Sequence, residues 1–293
     1  MASLRDIRER IRSVKSTQKI TQAMKMISAA RLRRAQEAIT HARPFAMELG
    51  SLLRRVAARM DVEEGKPAHP LLAEFSQPRR VMLVVVTSDR GLAGAFNANI
   101  LRRAEKFIRE NQDKYTHFEV AAVGRKAREY FKKRTQLGAV REHHGIFEGL
   151  SFRKAQDIAE GITKEFIESD LDAVYLVYNE FKSAIAQQVV VEPLLPIVAE
   201  ELPPGEDVDY IYEPSREGVL EGLVPRYLST LIWRALLESS AAEHGARMTA
   251  MDNATRNAKD IVEKLTLDYN RARQAAITTQ LMEVIGGAEA LSN

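Results

Sequence analysis

One stretch of the sequence has the composition of a loop that could hold a phosphate group. Residues 88–97 read SDRGLAGAFN and follow the apolar run VMLVVVTS at residues 81–88. Ligands of α/β proteins favour the carboxyl ends of such strands. The stretch lacks the G-x-G-x-x-G order, however, and no G-x-x-x-x-G-K-[ST] occurs in the sequence. A tight strand-to-helix turn at Gly91 and Gly94 is therefore favoured over nucleotide binding.

Other residue types with chemical potential are isolated. His143 and His144 are adjacent, so on regular structure their side chains point apart, and we expect a solvent-exposed loop rather than a metal site. Asp89 next to Arg90 could form an acid and its partner, but an aspartate that caps a turn is the ordinary case. The absence of cysteine excludes disulfides and thiol chemistry. We predict no catalytic residue, no cofactor and no metal.

The charge of the chain is uneven. The 293 residues carry a net charge of only +3, which argues against a general nucleic-acid coat. Residues 1–34 nevertheless hold ten Lys or Arg against Asp6 and Glu9, and a local basic surface indicates an acidic partner. No apolar run reaches the roughly 18 residues that a membrane span needs.

The N-terminal residues predict one long helix with a coiled-coil seam. Their spacing alternates between three and four residues, as a 3.5-residue repeat requires. The seam consists of Leu4, Ile7, Ile11, Val14, Gln18, Thr21, Lys25, Ser28, Leu32, Ala35, Ile39, Ala42, Ala46, Leu49, Leu53 and Val56. Pro44 predicts a bend.

The middle of this seam is polar, and the apolar residues there lie one residue before the seam positions. They are Ile20, Met24 and Ile27. Two explanations remain open. The register of the seam slips locally, or these residues make a second apolar contact with something outside the chain.

The C-terminal residues predict a second long helix. Between Pro225 and Gly286 the only strong helix breaker is Gly245, so residues 217–286 allow a rod of roughly 100 Å. A domain of this size is only about 40–50 Å across, so we expect the rod to project. Alanines recur at Ala242, Ala246, Ala250, Ala254 and Ala258, and an alternating seam follows at Val262, Leu265, Tyr269, Ala272, Ala276 and Thr279.

The final stretch of this helix is almost uncharged. Residues 275–293 carry only Glu283 and Glu289 as charged groups, so we expect an apolar wall to enclose them. Arg271, Arg273 and Gln274 lie at the start of this stretch, where an interface is at least as plausible as a solvated face.

Between the two helices, strands alternate with helices. We expect strands at residues 81–88, 118–123, 139–142, 173–181 and 187–193, with helices at 97–112, 125–134 and 152–169. This order predicts an α/β, Rossmann-like domain with a mostly parallel sheet, inserted at the base of a long antiparallel coiled coil. The predicted segments are a coiled-coil helix at 1–60, the α/β domain at 78–198, a linker and foot at 199–216, and a coiled-coil helix at 217–293.

Four stretches, in order and spanning essentially the whole chain, resemble the gamma subunits of the rotary F-type ATP synthase of bacteria. They are IRERIRSVKSTQKITQAMKMISAARLRRAQ, VVVTSDRGLAGAFN, VDYIYEP and ARMTAMDNATRNAKDIVEKLTLDYNRARQAAITTQLMEVIGGAEAL. The last is long enough to be highly specific.

The resemblance implies a rotor shaft without an active site of its own. Its partners would be three alpha and three beta subunits, the epsilon subunit and the membrane ring of c subunits, with delta and stator subunits in the same complex. Proton flow would turn the ring and the shaft, and the beta subunits would carry the ATP chemistry. The chain would be a peripheral membrane protein on the cytoplasmic face of the bacterial membrane, and would bind no nucleic acid.

The resemblance also assigns contacts residue by residue. Three groups are implied: Ile20, Met24 and Lys25 against the beta subunits; Arg273, Gln274 and Thr278 at the contact that catches a beta loop; and Tyr210, Tyr212 and Glu213 against the membrane ring and epsilon. The chain departs from the family at Gln280, where an acidic residue is usual. A neutral hydrogen bond is expected to replace a charged contact there.

Overall fold

The computed structural model describes residues 3–57, 69–73, 78–133, 140–169, 171–184, 186–197, 212–213 and 215–292. Most of the predicted linker and foot at residues 199–216 lies outside these ranges. The chain divides into two compact units, one of residues 1–28 with 248–293 and one of residues 29–247. The four segments predicted from the sequence are a different division and remain a prediction.

The two long helices form as the sequence predicts. Helix α1 spans Leu4–Ala57 and helix α5 spans Arg216–Ser292. Helix α1 continues through Pro44, and the bend predicted there stays a prediction. Its predicted seam positions are less exposed than the residues around them, and the predicted spacing is confirmed along the whole helix.

The sheet of the second unit has five strands in the order β3-β2-β1-β4-β5. Strands β1 (Arg80–Val86), β2 (His117–Val123), β3 (Val140–His143) and β4 (Ala173–Phe181) pair in parallel. Strand β5 (Gln187–Leu195) pairs antiparallel with β4. The connection between these two strands, residues 182–186, is too short for the crossover that parallel pairing needs. The mostly parallel sheet is therefore confirmed, with one antiparallel edge.

Three helices connect the parallel strands. They are α2 (Phe96–Glu110), α3 (Arg125–Phe131) and α4 (Phe152–Glu168). The central strand β1 is buried from Val81 to Val86, as expected for a continuous β-branched run covered on both faces. The same core includes Leu53 and Val56 of α1 and Leu228 and Ile232 of α5. Both long helices are thus part of the hydrophobic core of the second unit, at about 1.5–3 kcal/mol for each fully buried large side chain.

The turn from β2 into α3 depends on a glycine. Gly124 has φ 90°, and a Cβ placed on it would lie 2.2 Å from the carbonyl oxygen of Thr87. Its amide donates to the carbonyl of His143 at 2.8 Å. A side chain here would separate the ends of strands that are hydrogen-bonded to one another.

We expect the substitution Gly124→Ala to destabilise the protein by about 2–4 kcal/mol, because it combines a left-handed backbone with a backbone clash. The measurement is the urea midpoint of the purified chain, followed by the fluorescence of Trp233. The matched control is Gly161→Ala in α4, where an added Cβ meets nothing within 4 Å and should gain up to about 1 kcal/mol. Equal midpoints for the two variants would contradict this account.

Candidate functional site

The SDRGLAGAFN stretch is a turn held by its own side chains. The backbone amide of Ser88 donates to Oδ1 of Asn97 at 3.0 Å, and Ser88 Oγ donates to the carbonyl of Arg90 at 2.6 Å. Asp89 Oδ1 accepts from the backbone amide of Arg125 at 3.0 Å and so caps the start of α3. Asp89 therefore has a capping role, but it caps the start of a helix elsewhere in the chain, whereas the prediction was a cap of its own turn. Its Oδ2 is buried without a hydrogen-bond partner among the described residues.

The backbone of this turn differs from the expectation in one detail. Gly94 has φ 56°, as a tight turn requires, but the second left-handed residue is Leu92 (φ 62°) rather than Gly91. A leucine rarely adopts this conformation, which costs of order 1–3 kcal/mol. The side chain of Leu92 is exposed, so contacts of its neighbours must hold the backbone in place.

The two adjacent histidines do not share one environment. His143 is the last residue of β3 and is partly buried, so the predicted solvent-exposed loop is wrong for this residue, because the strand extends one residue further than expected. Burial, and then the neighbouring His144, lower the pKa of His143. Over the described ranges, no group of three or more His, Cys, Asp or Glu could hold a metal ion.

A buried ion pair on α5 contacts the same turn. Arg247 donates through Nη2 to Glu243 Oε1 at 2.5 Å, and through Nη2 and Nε to the carbonyl of Gly91 at 3.1 and 3.3 Å. The side chains of Arg247 and Glu243 are only 8% and 6% exposed. Burial raises the pKa of Glu243, and the guanidinium of Arg247 opposes that shift. Sequence reasoning missed this pair, although an i,i+4 Glu–Arg pair among the repeating alanines was a usable signal.

His244 lies beside this pair and is held neutral. Burial, together with the positive charges of Arg247 and Arg31, lowers the pKa of His244 to about 4. Its Nδ1 is 3.4 Å from Nη1 of Arg247, which fits a neutral ring that accepts from the guanidinium. A cavity of about 270 Å³ adjoins these groups and is also lined by Asp89 and Arg90.

In the first unit, polar pairs join the two long helices. Arg8 contacts Tyr269 at 2.6 Å, Thr21 contacts Thr255 at 2.7 Å, and Lys25 contacts Asp252 at 2.6 Å. Residue numbers rise on α1 as they fall on α5, so the predicted antiparallel pairing is confirmed. Two of the polar residues in the middle of the seam, Thr21 and Lys25, thus bond across the helix pair.

These pairs decide between the two explanations of the polar seam. Thr21 and Ser28 are buried, so the register does not slip. Ile20 and Ile27 are 58% and 55% exposed, and Met24 is partly buried. The explanation with a second apolar contact outside the chain is therefore favoured. Of the predicted contact residues, Ile20 is available to a partner, whereas the ammonium group of Lys25 is engaged by Asp252.

Helix α5 continues past Tyr269, beyond the residues that pair with α1. The residue paired with Tyr269 is Arg8, and α1 begins only about one turn earlier, at Leu4. The partly buried seam accordingly ends at Ala276, and the prediction that Thr279 belongs to it is wrong, since that residue is exposed.

The end of α5 carries exposed apolar side chains. They are Ile277, Leu281, Met282, Val284 and Ile285. The predicted contact residues Arg273, Gln274 and Thr278 are exposed in the same segment, and the hydroxyl of Thr278 donates to the carbonyl of Gln274 at 3.0 Å. A surface of this kind marks an interaction site.

The predicted foot residues are only partly described. Tyr210 lies outside the described residues. Tyr212 is partly buried against the core of the second unit, with the Arg216 guanidinium 5.0 Å from its ring centre, and Glu213 is exposed. Over the described ranges, none of the helices is both long enough and apolar enough to cross a membrane.

Comparison with known proteins gives consistent matches over the full length. A family model described as ATP synthase matches residues 3–291. The ATP synthase gamma chain of Anaeromyxobacter sp. (strain Fw109-5) is 54% identical over 99% of this chain and 100% of its own length. The ATP synthase gamma chain of Chlorobium phaeobacteroides (strain BS1) is 48% identical over 99% of both chains.

Solved structures agree with this match. A chain of the Tetrahymena thermophila mitochondrial ATP synthase, from a structure of the central stalk and c-ring, is 27% identical with a TM-score of 0.61, over 80% of this chain and 99% of that chain. A rotor chain of the Euglena gracilis mitochondrial ATP synthase has a TM-score of 0.64 over 94% and 98% of the two chains. Because the Euglena chain is only 19% identical, its likeness to this chain is evidence for the fold alone.

We expect the substitutions Thr21→Val and Thr255→Val each to cost about 0.5–1.5 kcal/mol of stability, because either one removes a hydrogen bond across the helix pair. The double variant should cost less than the sum of the two, as for a directly bonded pair. The measurement is a double-mutant cycle by thermal unfolding. The control is Thr17→Val, an exposed threonine bonded to Ser13 of its own helix, and additive effects of the two seam variants would contradict the assignment.

We expect His244→Gln to remove a pH-dependent part of the stability. The folded pKa is about 4 and the ordinary value is 6.5, so between these values the unfolded chain binds a proton that the folded chain does not. Stability therefore falls as the pH decreases through this window. The urea midpoint of the unsubstituted chain should fall more steeply from pH 6.5 to 4 than that of the variant.

The control for this measurement is His41→Gln at an exposed position of α1, which should keep the steeper slope. The raised pKa of Glu243 acts in the opposite direction, because its folded carboxyl group takes up a proton at higher pH than the unfolded one. Both chains carry Glu243, so their difference reports His244. Parallel slopes would refute the account.

Proposed function

Because this chain belongs to the ATP synthase family, as a gamma chain, we propose that it turns as the shaft that couples proton flow to ATP synthesis. It is a central-stalk subunit of the rotary ATP synthase and a non-catalytic one. In the proposal, the membrane ring of c subunits turns the chain, and its unsymmetrical surface drives three catalytic beta subunits through their states in sequence. The same coupling can run in reverse with ATP hydrolysis.

The exposed end of α5 is the observation that carries this proposal. Its apolar residues lie beyond the point where the N-terminal end of α1 covers α5, and their side chains are exposed. An apolar surface with few charges can move past an apolar wall without leaving a buried charge unpaired, which would cost several kcal/mol per ion. The proposed wall is the ring of three alpha and three beta subunits, with Arg273, Gln274 and Thr278 in contact with a beta loop.

A second contact with the ring is proposed at the polar part of the seam. Ile20 and Ile27 are exposed although they are large and apolar. Ile20 and Met24, with the adjacent Lys25, would touch the beta subunits. The surrounding basic residues of α1 would meet acidic loops through attraction that salt screens and that adapts to several orientations.

The remaining assignments concern the foot of the shaft. We place Tyr210, Tyr212 and Glu213 against the membrane ring and the epsilon subunit. The segments 1–60, 78–198, 199–216 and 217–293 would act as helix, α/β domain, foot and helix. With delta and stator subunits in the same complex, the chain would be a peripheral protein on the cytoplasmic face of the bacterial cell membrane.

Co-purification tests the proposed partners. A tagged chain should be recovered from detergent-solubilised membranes with alpha and beta subunits, each in about threefold excess, as a threefold ring around one shaft requires. Epsilon and c subunits should be present in the same particles. Recovery of the chain without nucleotide-binding subunits would contradict the proposal.

We expect the double substitution Arg273→Ala with Gln274→Ala to lower coupled ATP synthesis about tenfold or more, because it removes a charge-assisted contact at an interface. The measurement is ATP synthesis by reassembled vesicles under an imposed proton gradient. The matched control is Lys264→Ala, an exposed basic residue of the same helix, which should stay within about twofold. Undiminished synthesis by the double variant would remove the role given to this contact.

A further inference from the structure

In the second unit, α5 buries a group of polar side chains beyond the main hydrophobic cluster. The last residue of the helix in that cluster is Leu236, and the apolar residues Leu237, Ala241 and Ala242 beyond it are also buried. Glu238, Ser239, Glu243 and Arg247 follow, each less than one-tenth exposed. We call these four residues the polar belt of α5. Burying polar groups costs stability unless they have partners. Among the described residues Ser239 Oγ has no hydrogen-bond partner, so the partners of the other three residues show what the belt does.

The first partner of the belt is the end of strand β4. Glu238 is 3% exposed, and its Oε2 accepts from the backbone amide of Phe181 at 3.1 Å. Its Oε1 accepts from Arg43 of α1 at 2.9 Å. One carboxylate therefore ties α5 to β4 and to α1.

Between the two ends of the belt, α5 approaches the loop after β4 closely. A Cβ placed on Gly245 would lie 3.2 Å from the carbonyl oxygen and 3.3 Å from the Cα of Ala184. A glycine in a helix interior costs about 1 kcal/mol relative to alanine. This close approach of backbone to backbone is a physical reason for the glycine.

The second partner of the belt is the turn of the SDRGLAGAFN stretch. Arg247 donates two hydrogen bonds to the carbonyl of Gly91 and forms a salt bridge with Glu243. A planar guanidinium can hold these acceptors at the same time, whereas a lysine ammonium has no such fork. The turn is itself held by Ser88 and Asp89, so the bond joins α5 to a stiff part of the sheet.

We propose that the polar belt is a torsional brace, which makes the α/β domain and α5 twist as one body, with Arg247 as its positioning residue. The proposal rests on the function proposed above, since only a shaft under torque needs such a brace. Without the Arg247 bond, the most C-terminal hydrogen bond that ties α5 to the α/β domain is the one from Phe181 to Glu238, about 13 Å back along the helix. The contact of Gly245 with Ala184 remains, but it contains no polar bond. The length of helix from that bond to Arg273 is about a third greater than the length from Arg247 to Arg273. Because the torsional stiffness of a uniform rod is inversely proportional to its length, the stiffness falls accordingly.

The test uses the assembled complex with the catalytic ring fixed to a surface and a gold nanorod attached to the α/β domain. The angular variance of the nanorod during nucleotide-held pauses reports the torsional stiffness. With Arg247→Met we expect a variance about a third larger than in the unsubstituted complex. Arg247→Lys should resemble Arg247→Met, and ATP hydrolysis should remain near its unsubstituted rate.

The matched control is Lys259→Gln, which breaks an i,i+4 ion pair on the same helix where both partners are exposed. It should leave the variance unchanged. If Arg247→Met fails to assemble, Glu243→Gln replaces it, since that variant keeps the shape of the partner and removes the charge that orients Arg247. Unchanged variance in the assembled variant overturns the brace.

The same experiment separates the two proposals. If the nanorod on the unsubstituted complex does not rotate with ATP, the proposed function fails. If it rotates and the Arg247→Met variance equals the unsubstituted one, only the brace fails. A larger variance together with a loss of ATP hydrolysis would also contradict the brace, because it would indicate general damage to the fold.

Discussion

The structure depends on one constraint, which is that the two ends of the chain must pair antiparallel in a single register. The apolar seam of α1 supplies most of the attraction, but a regular 3.5-residue repeat is compatible with several registers. The Thr21–Thr255 and Lys25–Asp252 pairs favour one register, because any shift would break both contacts across the helix pair. These polar pairs therefore set the register, and the register determines which residues the helix pair leaves exposed.

The exposed residues follow from that register. Arg8 contacts Tyr269, and helix α1 begins only about one turn before Arg8. The apolar residues at the C-terminal end of α5 are therefore exposed. The same register turns Ile20 and Ile27 away from the seam. The proposed function therefore rests on the surface that the pairing leaves uncovered. Glu238 and Arg247 of α5 contribute buried polar contacts with the α/β domain.

The sequence alone predicts much of this architecture, since α1 and the sheet have strong periodic signals. The seam from Leu4 to Val56 and the strand Ala173–Phe181 are examples, and both depend on local spacing. The i,i+4 spacing of Glu243 and Arg247 is local, but the sequence does not predict their burial or the bond from Arg247 to Gly91, because these depend on a segment far away in the chain. It also does not predict the left-handed Leu92. It also extends the C-terminal seam to Thr279, since the point where α1 stops covering α5 is set by the register between helices and not by α5 itself.

The most direct test of the central claim is single-molecule rotation of this chain in a surface-fixed ring of alpha and beta subunits. A bead attached to the α/β domain should turn in one direction under ATP, with pauses about 120° apart, as one shaft in a threefold ring requires. Cross-linking the two long helices through a cysteine pair at the positions of Thr21 and Thr255 should leave that rotation intact, because the helices are paired there in the working state. A bead that stays fixed without the cross-link, or stops only when the cross-link forms, would contradict the account.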